Sequence, residues 1–367
     1  MPKPAPMSLI DSLESVEVVN NDQGPDGFQI SFSVSRGGDL IDSLDYSLLN
    51  NPLLRPFNRV RIMITLGLVS RVLIDGIITH QQLTPSQEPG KSVMIVTGED
   101  LSVMMDLEEK IHVNPNMRED AIISKIISSY AQYGLNPNLT PPICLEVPTI
   151  VERIPFHRGT DLAYIKELAE KNGYVFYVEP TDVPGTCDAY WGPPYTTFSN
   201  PQTQSLLVNM GPNTNVDSIN FQYNALQPQL MSGKLRDRLS DKQIFVQTSG
   251  TNLPSLSSTP VWSANMPYTR KGLLDGSGMT GPEANAAAQA QTDSSIDAVS
   301  ATGELDSLSY GDILRAHRLV NLVGVGSSYD GIYYVNSVTH RIKIGEYKQS
   351  FNLSREGLGS ISSGVPI

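Results

Sequence analysis

Alternation of side chains with a period of two confines a stretch of chain to a β-strand with differently exposed faces, and here it recurs in one setting at two distant places. Near the end, Asp330-Gly-Ile-Tyr-Tyr-Val-Asn-Ser-Val-Thr-His340 sets Tyr333, Val335, Ser337 and Thr339 against Tyr334, Asn336, Val338 and His340. Gly345-Glu346 interrupts, and Tyr347 to Leu353 resumes the pattern. That is a hairpin of two strands. Far upstream, Asp75-Gly-Ile-Ile-Thr-His80 passes through a turn at Pro85 to Gly90 into Lys91-Ser-Val-Met-Ile-Val-Thr-Gly98. Both copies end an apolar strand on Thr-His, and apolar runs lead into both, from Pro56 to Thr65 and from Arg315 to Val325. The chain reads as two related β-modules with other material between them.

The strand spacing in the first copy points to a small closed barrel or sandwich. Val16 to Val19, Phe28 to Val34, Val60 to Leu68, Val72 to Thr79 and Val93 to Thr97 are strand runs, and closure removes exposed edges. Residues 9–105 form this first β-barrel, after a short extended arm over the first eight residues, which carry prolines at 2, 4 and 6. Asp45 to Leu54 is a connector.

Residues 106–202 change period. Asn116 to Tyr133 predicts an amphipathic helix with Ala121, Ile122, Ile126, Ile127 and Tyr130 on one face and Gly134 closing it. Gly159-Thr-Asp-Leu-Ala-Tyr-Ile-Lys-Glu-Leu-Ala-Glu-Lys-Asn-Gly173 predicts a second, with Thr160 as N-cap and Gly173 as stop. Tyr174 to Glu179 is a strand, and 181–202 reads as an ordered surface loop, so this stretch is a small α+β module. The second barrel takes 203–230 and 309–356. An insertion at 231–308 carries a Ser/Thr/Pro/Gly-rich run and an Ala-rich segment, Ala284 to Ala301, read as a weakly held surface helix rather than a tight interface helix. Residues 357–367 are read as a mobile or partner-bound tail.

Composition excludes some functions. The 367 residues carry 26 basic and 38 acidic side chains, a net charge of −12, which argues against affinity gained by neutralising phosphates. No run approaches the roughly 18–20 apolar residues that span a bilayer, and Met1 to Ser8 lacks the apolar segment of a signal peptide. The expectation is a chain made and assembled in the cytoplasm. Cys144 and Cys187 fit no metal or redox pattern and read as free thiols.

No catalytic constellation stands out. His80, His112, His157, His317 and His340 lack metal-ligand spacing, so neither metal nor cofactor is expected. His80 and His340 hold matching places in the two copies, and each reads as a half-buried imidazole satisfied at a strand end. Glu99-Asp100 and Glu108-Glu109 are acidic pairs of the kind found at loops and helix starts. Gly276-Ser-Gly-Met-Thr-Gly281 lacks the lysine of a phosphate loop.

The order of motifs resembles the baseplate hub family of contractile injection systems, including late control protein D-like phage tail proteins and the hub half of type VI spike proteins. The likeness runs from about residue 14 to 356. Its specific parts are Asp75, Gly76 and His80; the helix opened by Gly159, Thr160, Asp161 and Leu162; and the hairpin with Gly331, Tyr333, Val335 and His340, ending in Tyr347, Phe351 and Arg355. These are fold-signature residues, not catalytic ones.

The resemblance implies a structural homotrimer, not an enzyme. Related barrels would alternate around a pseudo-sixfold ring that joins a hexameric inner tube to a trimeric spike. Expected partners are the chain itself, the tube protein, a separate spike (only a short tail follows Arg355), other baseplate components, and tape-measure protein or cargo. An acidic lumen would suit passage of DNA or acidic cargo. The competing readings are a cell-wall hydrolase or effector and a carbohydrate- or receptor-binding tail module, the latter resting on Tyr190-Trp191-Gly-Pro-Pro-Tyr195.

Overall fold

The computed structural model describes residues 3–361, apart from 23, 36–45, 47, 68, 89–90, 151–153, 197–201 and 239. The last residues of the Pro85 to Gly90 turn, Asp45 at the head of the expected connector, part of the 181–202 stretch and 362–367 of the tail therefore lie outside the described residues.

Strand character follows the period-two runs. The first module comprises β1 (Leu13–Asn21), β2 (Gly27–Val34), β3 (Arg59–Leu66), β4 (Val69–Thr84) and β5 (Ser92–Asp100), hydrogen-bonded in the order β1-β2-β5-β4-β3. The second comprises β6 (Ser218–Tyr223), β7 (Val299–Asp306), β8 (Leu319–Val323), β9 (Gly331–Lys343) and β10 (Glu346–Arg355). Its order, β6-β7-β10-β9-β8, repeats that of the first.

The modules share one 11-stranded sheet, because β1 pairs antiparallel with the C-terminal half of β9, Ser15 opposite Lys343 through Asn21 opposite Ser337. Each keeps its own core. Val18, Phe28, Ile74, Ile78, Met94 and Val96 belong to the first, and Leu305, Val320, Tyr333, Val335, Phe351 and Leu353 to the second. A glycine faces a phenylalanine in both: Gly98 lies opposite Phe28, and Gly303 opposite Phe351. A Cβ at Gly98 would sit 2.4 Å from the Phe28 ring, and one at Gly303 2.5 Å from Phe351. The ring fills the space the missing side chain leaves.

The α+β module is a three-stranded sheet, Leu135–Leu139, Cys187–Gly192 and Val175–Pro180, under helices Glu119–Ser129 and Asp161–Asn172. The first helix buries Ile122, Ile123, Ile126 and Ile127 while Ala121 faces outward. The second is capped as expected, Thr160 Oγ1 accepting from the Ala163 amide at 3.2 Å and Gly173 adopting φ 65.

Several expectations change. The N-terminal arm is not all extended: Met7–Asp11 is helical, and Leu9 enters the first core. The 181–202 stretch is not only loop. Cys187, Ala189 and Trp191 point inward from the central strand of the three-stranded sheet and are fully covered. Their alternation is masked in the sequence by flanking prolines and glycines, and it removes Trp191 from any binding loop.

The Ala-rich helix, Gly281–Ser295, ends before Ala298, and the residues beyond it form β7, a strand of the second module rather than of the insertion. Nor is the helix weakly held at the surface. Ala284, Ala287 and Ala288 pack on Met231, Leu235, Val246 and Leu274, and the Ala290 Cα lies 3.0 Å from where a Cβ at Gly173 would stand. Small residues on both sides permit that approach. The tail also begins as structure, since Gly357–Ser360 pairs antiparallel with Ser257–Pro260.

Candidate interaction site

The signature residues do not converge on one cleft; several of them fasten junctions between parts of the chain. Asp75 is buried and accepts from Arg59 Nε at 2.6 Å, while Arg59 Nη1 donates to the Tyr133 carbonyl at 2.8 Å. Arg61 Nη2 donates to the Thr181 carbonyl at 2.7 Å. Two β3 arginines thus tie that strand to the α+β module. At Gly76 a Cβ would fall 2.3 Å from the Glu99 carbonyl oxygen, so only glycine lets β4 and β5 approach there.

Asp161 gathers the second junction. It accepts from Lys110 Nζ at 2.6 Å and from Tyr130 Oη at 2.7 Å, and His157 Nδ1 lies 3.7 Å away. Thr160 Oγ1 donates to Asp106 Oδ1 at 2.6 Å, Gly159 takes φ 113, and Leu162 enters the core. The α+β module meets the second β-module through Glu179, which accepts from Arg318 at 2.7 and 2.9 Å and from Arg315 at 3.4 Å. Beside them His317 stacks on Tyr177 at 3.7 Å between centroids.

The end of β10 makes the third junction. Arg355 is fully buried; its guanidinium donates to the carbonyls of Asp330 at 3.0 Å and Ser328 at 2.7 Å and lies 4.3 Å over the Tyr333 ring. Gly331, at φ 128, leaves room for it. Tyr333 Oη donates to the Tyr329 carbonyl at 2.8 Å.

Glu356, which the motif reading passed over, is as deeply buried. Its Oε1 accepts from Ser255 Oγ at 2.6 Å, from the amides of Leu256 at 2.7 Å and Ser257 at 2.9 Å, and from Ser257 Oγ at 3.0 Å. One carboxylate thereby fastens the insertion to the second module. A carboxylate beside the signature arginine was the available signal, because adjacent charges at the end of an apolar strand have to find partners.

The two histidines are not equivalent. The β4·β5 ladder has an irregularity between Ile78 and His80, and the β9·β10 ladder has one between Val335 and Ser337. Matching these places His80 with Ser337 and Leu83 with His340. His80 is exposed, whereas His340 is buried against Tyr347 Oη at 3.0 Å, and burial together with Arg315 pushes its pKa down to about 3. The echoed Thr-His pair is a coincidence of spelling; strand order carries the true repeat.

Of the acidic pairs, Asp100 serves structure. Asp100 Oδ1 accepts from the Ser102 amide at 2.6 Å, and its Oδ2 from the Asp26 amide at 3.1 Å. Burial, and for Asp26 the nearby Asp100 charge, hold both above the usual carboxylate range. Thr280, from the glycine-rich stretch, caps the Ala-rich helix in a capping box with Glu283. Among the described residues no His/Cys/Asp/Glu group has metal-site geometry, and no helix is long and apolar enough to cross a membrane. Both cysteines are free, and burial pushes the Cys187 thiol up to about 12. A cleft of about 630 Å³ lies between the α+β module and the insertion.

This arrangement of two like-ordered β-modules, an α+β module and an insertion shares its overall fold with solved tail proteins and with a type VI secretion component. Among particular structures, a tail protein from Neisseria meningitidis MC58 matches with TM-score 0.60 at 12% identity, covering 95% of this chain and 93% of that one. The 43 kDa tail protein of prophage MuSo2 from Shewanella oneidensis matches with TM-score 0.58 at 11% identity, covering 94% of each. An E. coli component of the type VI secretion system, described as similar to T4 bacteriophage tail proteins, matches with TM-score 0.57 at 12% identity over 94% of this chain and 73% of that one. No family model and no curated protein sequence matches the chain.

Proposed function

We propose that the chain is the structural hub of a contractile injection particle: a homotrimer whose paired β-modules form a pseudo-sixfold ring between a hexameric inner tube and a trimeric spike. The observation that carries this reading is the repeated strand order within one chain. Three copies of a doubled module offer six similar surfaces to one partner and three to another. The shared fold with tail proteins over nearly the whole chain supports it. The role is read as non-enzymatic: several signature residues serve junctions, and Asp100 of one acidic pair caps backbone amides. The tube, the spike and other baseplate components are its partners, and it is assembled in the cytoplasm.

Native mass spectrometry with electron-microscope class averages tests this. A three-chain species with a six-lobed outline and a central hole is expected. A chain that stays monomeric at all concentrations and with tube and spike proteins would refute it.

A further inference from the structure

The junction inside the chain has an unfilled counterpart on its outside. Within the chain, β1 of the first module lies along the C-terminal half of β9, beyond the stretch of β9 that pairs with β8. By strand order, β6 is the equivalent of β1, and β4 of β9. β3 pairs with β4 from Val69 to Ile77, leaving Thr79–Thr84 bonded to β5 on one side. Among the described residues no backbone hydrogen bond reaches the other side of that segment, nor the outer side of β6, which pairs with β7 alone.

Natural sheets block such edges with charges, prolines or covering segments. β3 carries arginines held by the α+β module. In contrast, Ser-Ile-Asn-Phe-Gln-Tyr of β6 and Thr-His-Gln-Gln-Leu-Thr of β4 contain no Lys, Arg, Asp, Glu or Pro. Ile219, Phe221 and Leu83 are only half-buried, and a groove of about 410 Å³ runs beside β6, lined in part by Ile219 and Phe221.

We infer that β6 of one copy pairs antiparallel with Thr79–Thr84 of the next, repeating between chains the junction that β1 and β9 make within one. The occupant of each edge is a second copy of this chain, and the contact is head-to-tail, the kind that closes into a ring. This rests on the hub reading and names the surface through which its copies join.

The register follows from the ladder. Val18 faces Phe28, Phe28 faces Gly98 and Gly98 faces Ile78 in the first module. Phe221, Ala301, Leu353 and Val335 make the same rung in the second. Both rungs end just before the ladder irregularity. Val18 also faces His340, and Val19 faces Thr339, across the internal junction. Phe221 therefore faces Leu83 of the next copy, and Gln222 faces Gln82.

The test is disulfide trapping in the full chain with Cys144→Ser, since Cys187 is buried. On mild oxidation, Gln82→Cys with Gln222→Cys should give a ladder of covalent multimers that stops at the ring size seen by native mass spectrometry. Gln82→Cys with Ser218→Cys, out of register by two rungs of the same face, should give little. Hydrogen exchange should show 79–84 and 218–223 protected in the assembly and open in dilute monomer. A ring that forms by native mass spectrometry yet leaves the in-register pair uncrosslinked and 79–84 unprotected overturns the edge pairing while leaving the hub reading intact. A chain monomeric under every condition overturns both.

Discussion

Replacing Glu356 by alanine removes the acceptor of four hydrogen bonds that hold the insertion to the end of β10. Hydrogen bonds to a charged group contribute about 1.5–3 kcal/mol each in isolation. The four share one oxygen and are not additive, so their sum is an overestimate. The better guide is the cost of leaving buried donors unpaired, about 1–3 kcal/mol each, or about 2–6 kcal/mol for the Leu256 and Ser257 amides together. Because the insertion has its own core around Met231, Val246 and Ala288, the loss should be local: the Ser257–Pro260 and Gly357–Ser360 pair opens before anything else.

Hydrogen exchange of the Leu256, Ser257 and Val261 amides reads this directly, the last donating to the Glu356 carbonyl at 3.1 Å. Protection there should fall by two to three orders of magnitude in E356A, at about 1.4 kcal/mol per tenfold. In E356Q, which keeps an uncharged acceptor, the fall should be smaller. Unchanged protection at 256–261 in E356A would refute the reasoning.

The remaining expectations concern packing, acid and reactivity. Gly303→Val should destabilise by about 1–3 kcal/mol through overpacking, because its Cβ meets the Phe351 ring and the Ser218 carbonyl at 2.6 Å; urea denaturation checks it, and pairing it with Phe351→Leu should recover part. His317 and His340 are both lowered to about 3 by burial. Their stabilising contribution is therefore present above the unfolded value near 6.5 and is lost as pH falls from there toward 3. Asp22 and Asp297, raised to about 6 mainly by burial, act in the opposite sense: their contribution is full below about 3.8 and is lost as pH rises through 6. Melting temperatures between pH 4 and 7 should show His340→Gln flattening the acid loss. Cys187 should resist iodoacetamide in the folded chain and react once it is unfolded, read by intact mass.

The sequence made some of this fold legible and hid the rest for identifiable reasons. Strands with one covered face, such as Phe28 to Val34, announce themselves by alternation, and the Gly159 to Gly173 helix carries its start and stop in Thr160 and Gly173. β7 escaped because Ala301 and Gly303 interrupt the apolar alternation of its inward face between Val299 and Leu305. Their smallness makes sense only when Phe351 is seen across the sheet. Cys187 to Gly192 escaped because its turn-forming neighbours outweigh a short alternating run. The Ala-rich helix was placed correctly in kind but not in burial, since alanine suits a surface helix and a close-packed one equally.

What the sequence determined alone is local: which stretches can be strands or helices and where they stop, because backbone periodicity and capping act over a few residues. The repeat could not be aligned residue by residue from spelling, since a single irregularity in a ladder reverses which face a side chain occupies. Tertiary structure decided that His340 is enclosed while His80 lies open. It likewise decided that Arg355 and Glu356 turn to different partners, and that among the described residues β6 and Thr79–Thr84 are left without a partner strand on one side. Each depends on hydrogen-bond register and burial between segments far apart in the chain, where the free energy comes from neighbours that no local pattern specifies.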